Sequence, residues 1–581
     1  MTYFKRTRFS GIAPAVAPRL LADQFGQKAK NIDFESGRLV ATTADAYQFT
    51  LSNSTRKSIF FYRDTNWLQW NEDVSVVRGP IPGDTTDRLY WTGETYPRMG
   101  VRTTIEQGVA PYPTASYRLG VPSPADQTAT YLASAPTVVV TGTPTEGQTP
   151  LEVSYVFTFV TSYGEEGPPS APSTVVQITD AETAAITIPT SVIPVGNYNF
   201  TTGKIAIYRS NTGSTATQFQ FLGYKTGSFA AGTVTDNTDG TALGEVLPSL
   251  NWIGPPNDDA TLYPDGPLKG LTSLANGVMA GFTGKRFCLS EAFLPHAWPV
   301  TYRITTEDDI VAIATTSNGV VALTNGRPYF ITGTQPSAMT AIRVDLAQAC
   351  INTDSVVDMG DYVMYAGPDG LCSVQANTGR IVSEGGISSE QWSSDFYPTT
   401  IKAFKHENTY VAFWTDGAAH GGWVWDPRAT ENALSTLSLS AEVRGGFEDP
   451  KTGDLYLIIG DEILKYRGSA TKKQLVFKTK KFLSEAPVSM GWLSIDANEY
   501  PVVAKVWADE TLVASYSIDY NTGTNNYTQV TTTPAGIGNG TLTESVMRMP
   551  SVRAKVWEIQ VEGTDINGFC LAQSIDEIIG T

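Results

Sequence analysis

Six acids are the residues whose type and spacing suggest chemistry: Glu291, Glu307, Asp308, Asp309, Asp358 and Asp361. Glycoside hydrolysis needs two carboxyl groups flanking one sugar bond, one as acid and the other as base or nucleophile. Local pattern speaks for a plainer role. Asp361 stands at a hairpin turn, where a short carboxylate hydrogen-bonds its own backbone, and Glu307 to Asp309 is a solvated run before a strand. The three histidines, His296, His406 and His420, are isolated, with no second ligand at metal spacing. A Ser-His-Asp arrangement is assembled in space, and no GxSxG elbow supports one here. We therefore assign no catalytic, cofactor-binding or metal-binding residue, and read the chain as a non-enzyme without cofactors.

Two aromatic groups invite a binding role. Trp423-Val424-Trp425-Asp426 is like the end of a WD repeat, but it occurs once and lacks the Gly-His signature, so a buried aromatic pair on a strand is expected. Tyr62, Trp67 and Trp70 have the composition of a sugar-stacking platform. They are expected instead to fill a gap between sheets.

The elements that position these residues are strands. Charged residues make up 17% of the 581, while Thr, Val, Tyr and Trp abound without helical spacing, so the chain reads as all-β. One pattern returns five times between Leu271 and Gly468: apolar strand, tight turn, apolar strand, Gly- or Asp-rich turn. Aligned on the residue before the second strand, the copies fall at Gly277, Gly319, Asp361, Thr409 and Asp454, a period of roughly 42 to 48 residues. That is the length of a four-stranded propeller blade, which must stack on neighbours to cover both its faces. Val278, Val320, Tyr362, Val411 and Leu455 are expected on equivalent strands of a propeller with five to seven blades. Asn276-Gly277, Asn318-Gly319, Asn325-Gly326, Asp369-Gly370 and Asp416-Gly417 are expected to supply the positive φ of two-residue hairpin loops.

Around this repeat five segments are expected. Residues 1–57 form an N-terminal arm and first strand. Gly11, Pro14 and Pro18 interrupt the arm, a short helix spans Leu20 to Ala29, and order comes from docking onto other molecules. Residues 58–130 give a first propeller part, with a blade over 58–100, and a linker. Residues 131–250 alternate as a small sandwich with its own core over 136–248, separable from the rest. Residues 251–469 carry the main blades. Residues 470–581 form a C-terminal β-sandwich that ends at Ser574 to Ile579 in a strand or turn.

The net charge of −17 argues against gripping nucleic acid through phosphate neutralisation, although not against letting DNA slide past. Cys288, Cys350, Cys372 and Cys570 lie far apart without a CxxC pair, as free buried thiols of a cytosolically folded protein do. The basic N-terminus lacks the unbroken apolar core of a signal peptide, and no apolar run reaches the length of a membrane span.

Two resemblances bear on function. Tyr155, Phe157 and Phe159, the run Thr161-Ser162-Tyr163-Gly164-Glu165-Glu166-Gly167-Pro168-Pro169-Ser170, and Ile205 and Tyr208 resemble an immunoglobulin-like or fibronectin type III domain. The arm Gly11-Ile12-Ala13-Pro14 with Pro18 to Leu21, Gln27, Ala29, Asn31 and Glu35 to Leu39 is similar to the opening of tail tubular or nozzle proteins of short-tailed bacteriophages. Leu274 to Leu289 with Pro295 to Trp298 and Asp308 to Ile313, and the closing run Glu558 to Asp576, resemble the same family. The chain departs from better-known nozzles by its inserted sandwich and shorter length. The resemblance implies a virion tail protein, made in the host cytoplasm and assembled as a homohexameric ring around the DNA channel for genome retention and ejection. Its partners would be a head-to-tail adaptor protein, tail fibres or other tail proteins, and DNA that passes without specific binding. The alternatives are a receptor- or glycan-binding virion protein and, more remotely, a propeller glycosidase.

Overall fold

The computed structural model describes residues 3–124, 135–190, 196–212, 217–227, 229–428, 433–519, 526–529 and 546–579. The chain is all-β, with only short helices among the described residues. It divides into two compact units: Met1–Phe61, Asn325–Pro328 and Val344–Thr581 make the first, and Tyr62–Thr324 with Tyr329–Arg343 the second.

The second unit holds three four-stranded antiparallel meanders. They comprise Ser75–Arg78, Leu89–Thr92, Arg98–Gly100 and Tyr117–Arg118; then Lys269–Ser273, Met279–Thr283, Arg286–Leu289 and Ile304–Thr305; then Ile310–Thr316, Gly319–Thr324, Tyr329–Thr332 and Thr340–Arg343. Each buries one face on the next. Tyr90 and Met99 of the first share a core with Leu271, Met279 and Cys288 of the second, and Ala280, Phe282 and Phe287 share another with Val320, Ala322 and Ile331 of the third. A sheet apolar on both faces is stable only when covered twice, and this stacking supplies the cover.

The first unit repeats the device. Val357–Asp358, Val363–Ala366, Leu371–Gln375 and Thr378–Ile381 form one meander, and Lys402–His406, Thr409–Thr415, His420–Asp426 and Ala433–Leu437 form the next. Val443–Glu448, Leu455–Ile459 and Glu462–Lys465 make three strands of another, whose fourth is Ala46–Thr50 from the other end of the sequence. Val278, Val320, Tyr362, Val411 and Leu455 thus fall on, or one residue before, the second strand of five successive meanders.

The turns follow the expectation in part. Asn276 and Gly277 have φ of 62° and 70°, and Gly417 has φ of 92°, whereas Gly319, Gly326 and Gly370 are not left-handed. Gly319 and Gly370 are glycines for another reason: a Cβ would come 2.4 Å from the Ile331 oxygen and 2.4 Å from Ser383 Oγ.

The first four-stranded meander does not coincide with the blade expected over 58–100. Its sheet spans residues 75–118, and Ser58–Tyr62 and Asn66–Trp70 lie outside it. The stretch read as a linker contributes the fourth strand, Tyr117–Arg118, and the helix Arg102–Ile105; residues 125–134 of that stretch lie outside the described residues.

Between the first two meanders, Thr137–Thr141, Thr183–Ile188 and Gly232–Asp236 form one sheet and Tyr155–Val160, Lys204–Thr212 and Thr217–Tyr224 another. Leu151–Val153 pairs with Val176–Ile178. Tyr155, Phe157, Ile186, Ile205 and Ile207 fill their shared core, joined from outside the segment by Val121.

The N-terminal arm departs from the expectation. Phe25–Lys30 is a strand and not a helix, antiparallel to Leu475–Thr479 and touching Ala433–Leu437 in parallel register at Lys30 and Thr436. Tyr3–Arg6 pairs with Asp565–Ala572, and Phe9 is 2% exposed within the C-terminal core. Its order therefore comes from within the first unit, where the ladder that prolines deny the arm locally is provided by distant strands. The C-terminal layers are accordingly built from both chain ends. One sheet joins Ile32–Asp33 and Leu39–Ala41 to Asp565–Ala572, Trp492–Ala497 and Val546–Arg548, and it packs on Leu475–Thr479, Arg553–Gly563 and Val502–Ala508. The described residues end in a helix, Ile575–Ile579, in place of a strand or turn, and Glu577 accepts the N–H groups of Gln573 at 2.9 Å and of Ser574 at 3.3 Å just before it.

Candidate functional site

The six acids are dispersed. Glu291 accepts the Tyr302 hydroxyl at 2.8 Å, and Glu307, 69% exposed, pairs with Arg343 at 3.1 Å. The Asp308 carbonyl accepts Thr306 Oγ1 at 2.7 Å. Asp358 accepts the Gly360 N–H at 2.7 Å, the local turn bond its position favours. Glu291 and Glu307 to Asp309 belong to the second unit, Asp358 and Asp361 to the first. Glu291, Glu307 and Asp358 are engaged by a hydroxyl, a guanidinium and a main-chain N–H respectively; burial chiefly raises the pKa of Glu448, and the charge of nearby Asp358 adds to it.

Burial lowers the basicity of two histidines and raises the thiol pKa values. His296 is 3% exposed, and burial pushes its pKa down to about 4. Trp252 meets it edge-on with centroids 6.0 Å apart. His406 is likewise buried and pushed down to about 4, with its ring perpendicular to Tyr466. His420 is exposed at the start of its strand. Burial pushes the Cys288 thiol up to about 11 and those of Cys350 and Cys372 up to about 12, so none offers a thiolate nucleophile at neutral pH. All four cysteines are free and buried.

The aromatic groups are structural. Trp423 and Trp425 are buried side by side in one core, and Asp426 receives Arg428 through two hydrogen bonds of 3.0 Å. Tyr62, Trp67 and Trp70 are buried, and Trp70 lies 6.0 Å from Trp91. No sugar-stacking face survives there.

Sequence reasoning missed a group of buried charge around Arg88. Arg88, just before the strand Leu89–Thr92, donates to Glu165 at 2.8 Å and lies 3.6 Å from Asp84; the Arg88 and Glu165 side chains are 8% and 7% exposed. Arg88 also covers the ring of Tyr163 at 4.5 Å. Thr161 Oγ1 donates to Glu165 and accepts the Glu165 N–H, both at 3.2 Å, which fixes the loop. His296 faces the same group, with Arg88 depressing its basicity. Burial is the main cause that raises the Glu165 pKa above its ordinary value. The one sequence signal was Glu165-Glu166 inside a Gly-rich turn, which reads equally well as a solvated loop. A second buried ion pair, Arg209 to Asp236 at 2.9 Å, sits inside the sandwich, where Tyr155 Oη also donates to Asp236 at 2.8 Å. These groups lock elements together, and none leaves an open coordination position or a nucleophile beside a base.

Among the described residues no group of three or more His, Cys, Asp or Glu side chains is arranged to hold a metal ion, and no helix is long and apolar enough to cross a membrane.

No protein-family profile matches the chain, and no curated protein matches it. Among solved structures it is similar to YCF48 from Cyanidioschyzon merolae, at 12% identity and a TM-score of 0.24 over 73% of this chain and 98% of that one. It is also similar to Hsv2 from Kluyvelomyces marxianus, at 8% identity and a TM-score of 0.23 over 50% and 70%. Likenesses of this size carry no argument about fold or activity.

Proposed function

We propose that this protein is a structural subunit of a short-tailed bacteriophage tail, of the nozzle or tail-tube class, that assembles as a six-membered ring around the channel through which DNA leaves. In this reading the meanders are blades of a β-propeller, residues 131–250 are an immunoglobulin-like insertion, and the C-terminal layers are a β-sandwich. The adaptor above the ring and fibres or other tail proteins at its side are its partners.

The observation that carries the reading is where the resembling stretches lie. The arm, with Gly11–Ile12 and Phe25–Lys30, and the closing run, with Arg553–Gly563 and Asp565–Ala572, interlock in one pair of sheets around one core. The remaining run supplies Met279–Thr283 and Arg286–Leu289, adjacent strands of one meander. The stretches similar to virion proteins are thus framework and not surface decoration, as fits a subunit whose task is mechanical.

Location tests this. Gold-conjugated antibody against the chain, applied to purified particles of the phage that encodes it, is expected to decorate the tail below the head. Decoration of the capsid shell, or absence of the chain from purified particles, contradicts the proposal.

A further inference from the structure

In the first unit, the strands Phe25–Lys30, Leu475–Thr479, Arg553–Gly563 and Val502–Ala508 lie side by side in one sheet. Ala29, Phe477, Val561 and Ala504 turn one face of it into the core. The alternate residues form the other face, in rows that cross all four strands. Lys28, Lys478, Gln560 and Lys505 stand opposite one another in one row, and Lys30, Val476, Glu562 and Val503 in the next. Beside them Trp507 lies opposite Glu558.

Part of the charge on this face is answered within the chain. Lys478 meets Glu558 at 2.8 Å, Lys505 meets Glu562 at 2.6 Å, and Gln27 Nε2 donates to Glu558 at 2.6 Å. Lys28 and Lys30 are exposed and form no ion pair with a described residue. Lys28 also stands directly opposite Lys478, an arrangement of like charges that weakens a sheet. Four lysines against two carboxylates make these rows positive, on a chain whose net charge is −17. Val476, Val503 and Trp507 are half-buried on the same face and supply apolar contact area.

Such a face attracts an acidic surface, and the chain itself offers one. In the same unit Glu384, Glu390 and Asp395 are exposed around the helix Ser389–Asp395, and none forms an ion pair with a described residue. A nucleic-acid duplex fits worse: two unpaired lysines neutralise about two phosphates, and the acidic remainder of the chain repels the others. We infer that the outer face carrying Lys28 and Lys30 is a self-association surface, which docks onto an acidic surface of a second copy of this chain. The inference deepens the ring reading and rests on it for its setting, because a ring of identical subunits needs one patch of each to meet a different patch of the next.

Cross-linking tests it. Isotopically light and heavy full-length chains are mixed, treated with a zero-length carbodiimide that joins lysine amines to carboxyl groups, and mapped by mass spectrometry. Light-to-heavy links from Lys28 or Lys30 to Asp or Glu are expected. In sedimentation at about 0.01 M salt, where the screening length is about 30 Å, the parent is expected to associate, and the double variant Lys28→Glu with Lys30→Glu to associate about tenfold more weakly. Lys28→Glu sets a carboxylate opposite Lys478, so this variant is expected to melt no lower than the parent, which separates lost docking from lost folding. If copies assemble but the double variant assembles equally well, or no light-to-heavy link starts at these lysines, the inference is overturned and the ring reading stands. If copies associate through these lysines in a number other than six, the ring reading falls and the inference stands. A parent that stays monomeric at low salt overturns the inference, and its capture through these lysines by duplex DNA or by phosphatidylglycerol vesicles assigns the face to that partner instead.

Discussion

Arg88 and Glu165 form a 2.8 Å ion pair with both side chains more than nine-tenths buried, and they tie the strand Leu89–Thr92 to the loop that follows Tyr155–Val160. A buried pair is costly to break from one side, because the remaining charge has no solvent to turn to. Arg88→Ala and Glu165→Ala are each expected to lose about 3 to 5 kcal/mol of stability, whereas the double replacement Arg88→Met with Glu165→Leu is expected to be near neutral. Urea unfolding of the three variants checks this. Equal and additive losses would show that the pair acts as two separate contacts.

Buried His296 and His406 predict how stability depends on pH. Each is pushed down to about 4 from an ordinary value of 6.5, so the unfolded chain binds more protons between those limits. Their contribution is full above pH 6.5, falls as the pH drops toward 4, and is flat below it, at most about 3 kcal/mol each. Glu165, raised by burial, changes stability in the opposite sense above its ordinary value. Comparison with His296→Phe isolates the histidine: the variant is expected to show a flatter stability slope from pH 6.5 to 4. An unchanged slope means the ring is already solvated or protonated in the fold.

Deletion of residues 1–30 is expected to unfold the first unit, not merely to loosen assembly. It removes Phe9 from the core and the strand that satisfies Leu475–Thr479. Phe9→Ala alone is expected to cost about 3 to 5 kcal/mol, read by thermal or urea unfolding. A truncated chain that melts like the parent would restore the view of the arm as an accessory.

The meanders were legible because their signal is local. Alternating apolar strands and tight turns recur within one period, and Val320, Val411 and Leu455 mark the second strand each time. What joins remote parts of the chain was not. Nothing near Ala46–Thr50 announces that it completes a sheet with Glu462–Lys465, since strand pairing across four hundred residues leaves no periodic trace. Gly26 shows the same limit. A helix over Leu20 to Ala29 satisfies local propensity, yet a Cβ at Gly26 would come 2.6 Å from the Lys478 oxygen, and it is that tertiary approach which sets the strand. Glu307, on an exposed run, was readable as a surface residue from sequence, while Arg88 with Glu165 depends on segments that meet only in three dimensions.

A duplex moving through a ring is held back by each phosphate that a basic wall neutralises, so the channel lining is expected to be acidic or neutral, which a subunit charge of −17 readily supplies. Single-particle imaging of the purified protein, alone and mixed with its adaptor ring, examines this together with the assembly on which the account rests. A six-fold ring with an open channel, whose inner wall lacks Lys and Arg clusters along its length, is the predicted result. A monomer under both conditions, a fibre-like trimer, or a lumen studded with Lys and Arg at contact distance from DNA phosphates would contradict it.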